Sequence, residues 1–213
     1  MNLAAMSADD ERVTTLGEEF ARALDAARDG SEWGFVELFR SVQPALLRYL
    51  GALAGPLAED VAAETWLRVV HDLARFEGDE DGFRAWVFTI ARHRWLDARR
   101  AAARRPPEVY DGGEALAEIP SSEVVADAVE EAMSTEAALQ LIATLPPDQA
   151  EAVLLRVVGG LDVDRVAAIM GKRPGHVRVL SHRGLKRLAV LVQDPAGSGH
   201  VVTQRNHPTV GRV

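Results

Sequence analysis

The stretch from Arg104 to Ser134 divides this chain. Pro106, Pro107, Gly112, Gly113 and Pro120 interrupt regular structure there, and Glu108, Asp111, Glu114, Glu118, Glu123 and Asp127 keep the segment in water. A chain of 213 residues cut at that point yields two small units, each with its own modest core. On both sides the apolar spacing is helical, with no alternating strand pattern and no internal repeat, and alanine, leucine, arginine and glutamate dominate. The expected fold class is therefore all-α: two small helical domains joined by a flexible acidic linker. The expected boundaries are an N-terminal extension at 1–30, a first domain at 31–103, a linker at 104–134, a second domain at 135–193 and a disordered tail at 194–213.

Helical patterning begins near Leu16 and resumes after Ser31, an expected N-cap, through Phe35, Leu38, Phe39 and Val42. Pro44 is expected to open a further helix and Pro56 the next, in which Val61, Thr65, Val69 and Leu73 repeat every fourth residue. An acid- and glycine-rich loop, Phe76 to Gly82, precedes a long helix from about Phe83 to Ala103. A short helix fits Val124 to Met133, within the linker. The second domain is expected to hold Glu136–Ala143, Pro146–Val158, Val163–Met170 and Pro174–Val192.

A formal net charge of −8 argues against a nucleic-acid partner until its distribution is considered. From Arg84 to Arg105 there are seven arginines and one acid, Asp97; from Lys172 to Gln193 there are six Lys or Arg and no acid. No cation lies between Arg105 and Arg156, so two basic islands flank an acidic interval. The absence of cysteine excludes disulfides, thiolate zinc sites and thiol redox chemistry within the chain. No apolar run approaches the roughly 20 residues needed to cross a bilayer, and Met1 to Arg12 lacks the order of a signal peptide, so a cytoplasmic location without membrane insertion is expected. No HExxH pair, phosphate-binding glycine loop or GxSxG motif is found, and the six histidines are scattered. No catalytic residue, metal or cofactor is expected, and the chain does not read as an enzyme.

In the second basic island a short helix with Val163, Val166, Ala167 and Ile169 ends at Gly171, a tight turn follows, and Pro174 opens a longer helix. At about 100° per residue, Val177, Leu180, Ser181, Gly184, Leu188 and Leu191 share one side. Arg178, Val179, His182, Arg183 and Lys186 share the other. A recognition helix in a major groove requires this division, because phosphates supply affinity and base edges supply specificity. With Lys172, Arg173 and His176 from the turn and first helical residues, these form the expected contact set for duplex DNA. A solvated basic helix is the plainer alternative.

The run Leu145-Pro146-Pro147-Asp148-Gln149-Ala150-Glu151-Ala152-Val153-Leu154-Leu155-Arg156, then Gly160-Leu161 and the close His182-Arg183-Gly184-Leu185-Lys186-Arg187-Leu188, resembles region 4 of the extracytoplasmic-function (ECF) sigma factors. That resemblance implies reading of the −35 promoter element and contact with the beta flap of RNA polymerase. Lys172 and Arg173 depart from the small or aliphatic residues usual in that turn.

In the first basic island, Phe83, Trp86, Val87 and Ile90 form a stripe expected to face the core. Arg84, Phe88, Arg92, Trp95 and Arg99 project as a second face, where cations could follow phosphates and rings could stack on unpaired bases. For either ring taken alone, burial in the core is an equal reading. The segment from Phe83 to Arg100 resembles the part of sigma region 2 that melts and recognises the −10 element. The resemblance implies Phe76, Arg84, Phe88, Arg92, His93, Trp95, Arg99 and Arg100 as the melting set, with the Phe76–Gly82 loop capturing a flipped base. Its acids, Glu77, Asp79, Glu80 and Asp81, are dense for such a loop.

Asp60-Val61-Ala62-Ala63-Glu64-Thr65-Trp66-Leu67-Arg68-Val69 resembles sigma region 2.2, implying that Asp60, Glu64, Trp66 and Arg68 dock on the beta-prime clamp helices of core RNA polymerase. A Glu64–Arg68 pair supporting its own helix is the plainer reading. The linker reads equally as a tether or as a strand threading polymerase's positive channels. The resemblance makes core RNA polymerase, promoter DNA and an anti-sigma factor the expected partners of an alternative sigma factor. The rival is a stand-alone helix-turn-helix regulator binding duplex operator DNA, which needs no arginine–aromatic face.

Overall fold

The computed structural model describes residues 15–104 and 126–193, with side chains over 15–104 and 135–192. The expected linker up to residue 125 and the tail from Asp194 lie outside the described residues, as do residues 1–14. Among those described there is no strand. Eight α-helices follow one another: α1 (Glu19–Arg28), α2 (Glu32–Ala54), α3 (Ala58–Asp72), α4 (Glu80–Arg104), α5 (Ala126–Ala143), α6 (Pro147–Val153), α7 (Val163–Met170) and α8 (Pro174–Gln193).

Pro44 does not open a helix: α2 passes through it unbroken. Pro44 itself is exposed, and the buried residues Leu38, Val42, Ala45, Leu46, Tyr49 and Leu50 continue one apolar face past it. Burying that face offsets the one backbone hydrogen bond that proline cannot donate. Likewise α5 is a single helix where a break was expected, since no proline or glycine lies between Ser121 and Leu145. Ser31 occupies the N-cap position of α2 in extended conformation, without a side-chain capping bond.

Of the expected N-terminal extension, the described residues 15–30 do not stand apart from the first domain. Helix α1 is part of the first bundle, burying Phe20, Ala23 and Leu24. The contact depends on Gly34, where a Cβ would lie 2.5 Å from both Ala23 O and Ala27 N. The Glu80 carboxylate then accepts the backbone N–H groups of Leu16 (2.8 Å) and Gly17 (2.9 Å), fastening the start of α1 to the start of α4. Because the obstructing atoms are backbone, Gly34→Ala should separate α1 from α2 and cost about 1–3 kcal/mol of stability. A thermal melt followed by circular dichroism reads this directly.

In the second domain, Pro147 begins α6 at a position where its missing N–H is no loss, and the chain continues as a π-helical turn, Leu154–Val158. Helix α7 starts on Asp162, whose carboxylate accepts Arg165 N–H at 2.8 Å, a bond that holds the Asp162 carboxyl below its usual range. It stops at Gly171, left-handed at φ +63°, with Lys172 N–H bonded back to Ala167 O. Helix α8 crosses α6 closely at the buried Gly184, where a Cβ would meet Val153 Cγ2 at 2.7 Å.

Candidate nucleic-acid interface

On α8, Val177, Leu180 and Gly184 are buried and Leu188 and Leu191 half-buried. His176, Arg178, Val179, His182, Arg183 and Lys186 stand exposed, as does Arg173 in the turn. Lys172 differs from these: it is half-buried and its Nζ reaches Asp148 on α6 at 2.8 Å, so it ties the turn to the domain. Arg187 is held likewise by Gln149, at 2.8 Å. The remaining cations project from one side of a helix whose opposite side is core, with no acid on α8 to neutralise them.

Helix α4 is placed differently from its sequence projection. Its buried residues are Phe83, Arg84, Val87, Phe88 and Ala91, so the core-facing arc is turned by about a quarter of a revolution from the expected stripe. Phe88 is fully buried, edge-on to Tyr49 with ring centroids 5.2 Å apart, and stays inside the bundle. Arg84 is 3% exposed and pairs with Glu80 one turn earlier, at 3.4 Å. Neither reaches a surface where a strand could lie. Trp86 and Ile90 are half-buried instead of central. His93, Arg99 and Arg100 are exposed, Trp95 is half-buried, and the Arg99 guanidinium sits over the Trp95 ring at 5.9 Å. The surface that survives from the expected set is thus Arg92, His93, Trp95, Arg99 and Arg100.

The loop before α4 is also more occupied than its composition implied. Phe76 stacks on Trp86 at 5.0 Å and meets Phe83 edge-on at 5.5 Å. Three of the four acids have structural partners: Asp79 caps α4 by accepting Gly82 N–H at 2.7 Å, Glu80 holds α1, and Asp79 and Asp81 face Arg165 of α7 at 3.4 and 3.8 Å.

Arg92 makes a contact that its own domain does not explain. Its Nε donates to Glu151 Oε1 of α6 at 2.5 Å, and the Tyr49 hydroxyl of α2 donates to the same oxygen at 3.4 Å. Glu151 is 4% exposed. Burial, and then the neighbouring carboxylate, push the Tyr49 phenol well above its ordinary range, which keeps it protonated and donating. Nothing in sequence spacing marks Glu151, which reads as one more polar residue on a short helix.

On α3, Val61, Thr65 and Val69 are buried as the four-residue period indicates, and Asp60, Glu64 and Arg68 are exposed. Trp66 is the exception among the expected docking residues. It is 7% exposed, packed between Phe35 (5.8 Å) and Phe39 (4.9 Å), with its indole N–H on Gln43 at 2.6 Å. The ring is therefore a core residue. Arg68 pairs forward with Asp72 at 2.6 Å, one turn on from itself, in place of the Glu64–Arg68 pair that was the plainer alternative to a docking role. The centre of the outer face is held by Leu67, 73% exposed, beside Ala63 and Val70 and bordered by Asp60 and Glu64.

An all-α protein of two domains, with a helix-turn-helix in the second, is the class these elements define. Residues 38–105 match the model of Sigma-70 region 2, and residues 135–188 that of Sigma-70, region 4. The ECF RNA polymerase sigma factor ShbA of Streptomyces griseus is 33% identical over 194 residues, covering 86% of this chain and 98% of its own length. The ECF RNA polymerase sigma factor SigD of Mycobacterium tuberculosis is 35% identical over 187 residues, covering 83% of this chain and 85% of its own. CnrH, solved in complex with the cytosolic domain of CnrY, shares the fold with a TM-score of 0.55 at 19% identity, over 81% of this chain and 96% of that one. The chain belongs to the ECF RNA polymerase sigma factor family.

Proposed function

We infer that this protein is an alternative sigma factor, which binds core RNA polymerase, recognises −35 and −10 promoter elements and promotes strand opening. The observation that carries this reading is the occurrence of both sigma regions, in order, on one helical chain, with an uninterrupted cationic face on α8. Arg173, His176, Arg178, Val179, His182, Arg183 and Lys186 lie against duplex DNA, with Lys172 bracing the turn from behind. Arg92, His93, Trp95, Arg99 and Arg100 take up the opened −10 strand. Asp60, Glu64 and Arg68 frame the polymerase contact around Leu67. The work is binding, not covalent chemistry, and it takes place in the cytoplasm; no described helix is long and apolar enough to cross a membrane. An anti-sigma factor is a further partner.

Run-off transcription with core polymerase on genomic fragments tests the reading, and a gel shift with and without core polymerase separates it from a stand-alone repressor. A sigma factor shifts promoter DNA only with polymerase present; a shift by the protein alone, unchanged by polymerase, overturns it. Within the melting surface, the double variant Arg92→Ala with Trp95→Ala is expected to lower promoter opening about tenfold or more, from lost stacking of roughly 1–3 kcal/mol and a lost phosphate contact. Permanganate reactivity of unpaired thymines measures opening. Polymerase affinity, measured in parallel, should not fall by more than about twofold, since both residues lie away from α3.

A further inference from the structure

We propose that Arg28, at the end of α1, is a positioning residue for the opened −10 strand: by holding the backbone of Phe76 it fixes the aromatic stack at which the strand surface of α4 begins. The inference rests on the reading of Arg92, His93 and Trp95 as that surface.

Trp86, Ile90 and His93 are spaced by four and three residues, so they follow one line along α4, with His93 as its exposed end. At the other end Phe76 covers Trp86, the ring centroids 5.0 Å apart and the planes 25° from parallel, and both residues are only half-buried. A flat aromatic pair that keeps part of its surface in water, in line with cationic side chains, suits an unpaired base. Phe76 reaches Trp86 from the loop, so the stack depends on the backbone that carries its ring. That backbone is held on both sides of the residue. The Phe76 N–H donates to Leu73 O at 3.1 Å, and the Phe76 carbonyl accepts from Nη2 of Arg28. The other terminal nitrogen of Arg28 donates to Asp25 Oδ1 at 3.2 Å, which orients the guanidinium from its own helix.

Close packing cannot substitute for this tie. Between α1 and the loop lies a cavity of about 680 Å³, with Phe20 and Leu24 on one wall and Glu77 and Gly78 on the other. Side chains separated by such a gap lose their dispersion contacts, so the loop is placed by its few hydrogen bonds. Electrostatics would otherwise drive the walls apart. Glu18 and Asp25 stand on the α1 side and Glu77 and Asp79 on the loop, and Arg28 is the one cation among the described residues that bound the cavity. Without it, like charges face each other across the gap. Arg28 adds little to folding itself. Its Nε–H is buried and finds no acceptor among the described residues, a cost that offsets much of what its two terminal bonds contribute.

The chain has four tryptophans, so full-length protein grown with fluorotryptophan should give four fluorine NMR signals, that of Trp86 being the one lost in Trp86→Phe. Arg28→Met keeps the stem and removes the donors. It should shift the Trp86 signal, through loss of the Phe76 ring above it, and leave that of the enclosed Trp66 in place. Holoenzyme carrying Arg28→Met should bind the labelled non-template strand of a promoter mapped by run-off transcription about fivefold more weakly, the share of one stacked base. Its melting temperature should stay within about 3 °C of the original, and its polymerase affinity within about twofold. Arg28→Lys, which restores a donor and the charge, should bring strand affinity back to within about twofold. The proposal is overturned by an unmoved Trp86 signal, by intact strand affinity in Arg28→Met, or by a fall in melting temperature that Arg28→Lys shares, since the residue would then hold the bundle and not the loop. The fluorine spectra use neither promoter nor polymerase. Failure of the unaltered holoenzyme to bind the strand would therefore count against the sigma reading, while the spectra still report whether Arg28 sets the stack.

Discussion

Phe88→Ala should unfold the first domain before it can be scored for promoter opening. The ring is completely buried, and it meets Tyr49 edge-on in the middle of the α2–α4 contact. Removing a phenyl group from such a position costs about 3–5 kcal/mol, from lost transfer energy and from the cavity left behind. Domains of this size have roughly 5–15 kcal/mol in total, so the loss is a large share of the whole. The midpoint of thermal unfolding should drop by more than about 10 °C. The alternative, that Phe88 stacks on an unpaired base, predicts a protein that melts normally and fails only at opening. Phe88→Leu sharpens the comparison: it refills most of the space and should restore most of the stability, yet it has no aromatic face to offer a base. A Leu variant with normal melting and about normal opening places the residue in the core; normal melting with a tenfold opening defect would return it to the DNA surface.

The buried face of α8 is legible in its sequence and that of α4 is not, and the difference is one of contrast along each helix. On α8 the cations and His182 fall on one side and Val177, Leu180, Gly184 and Leu188 on the other, so only one rotation buries the apolar residues. On α4, Phe83, Trp86, Val87, Phe88, Ile90, Ala91 and Trp95 occupy most of the circumference, and several rotations bury a similar area. Which rotation wins is decided by neighbours: α2 offers Tyr49 to Phe88, while Phe76 comes over Trp86 from the loop. Arg84 is drawn in with that rotation and is compensated by Glu80. Trp66 has the same lesson in it. Its place in a motif next to exposed charges made it look like an interface anchor, but Phe35, Phe39 and Gln43 from α2 supply a better site for an indole with an N–H to satisfy.

Contacts between distant segments were the least legible. Gly34 looks like an ordinary helix-weakening glycine until α1 is laid across it. Glu151 sits inside a recognisable motif, but no local rule says that an acid there meets an arginine 59 positions earlier. The loop acids gave a signal in their density, and the cause is now evident: one caps α4, one fastens α1, and two meet Arg165.

Leu67→Asp is expected to weaken polymerase binding severely in a protein that folds and melts as before. Leu67 has 73% of its surface in water and Val70 55%, with Ala63 alongside, an apolar strip on α3 that nothing in the first domain covers. Solvent exposure on this scale means that its side chain contributes little to folding, so substitution there should stay within about 0.5 kcal/mol of the original stability. At an interface the sign is reversed. A central aliphatic residue surrounded by polar groups loses its burial on replacement, and aspartate adds a charge that must be dehydrated beside Asp60 and Glu64. A penalty of about 2–4 kcal/mol corresponds to a fall in affinity of roughly 30- to 1,000-fold. Fluorescence anisotropy of labelled protein titrated with core polymerase measures it, and run-off transcription should fall in proportion. Trp66→Ala gives the contrast that separates core from interface: with its ring enclosed by Phe35 and Phe39, it should lower the melting temperature by more than its neighbour does. If Leu67→Asp binds polymerase with unaltered affinity, the docking face lies elsewhere on the domain, and the apolar strip on α3 must be assigned to another partner.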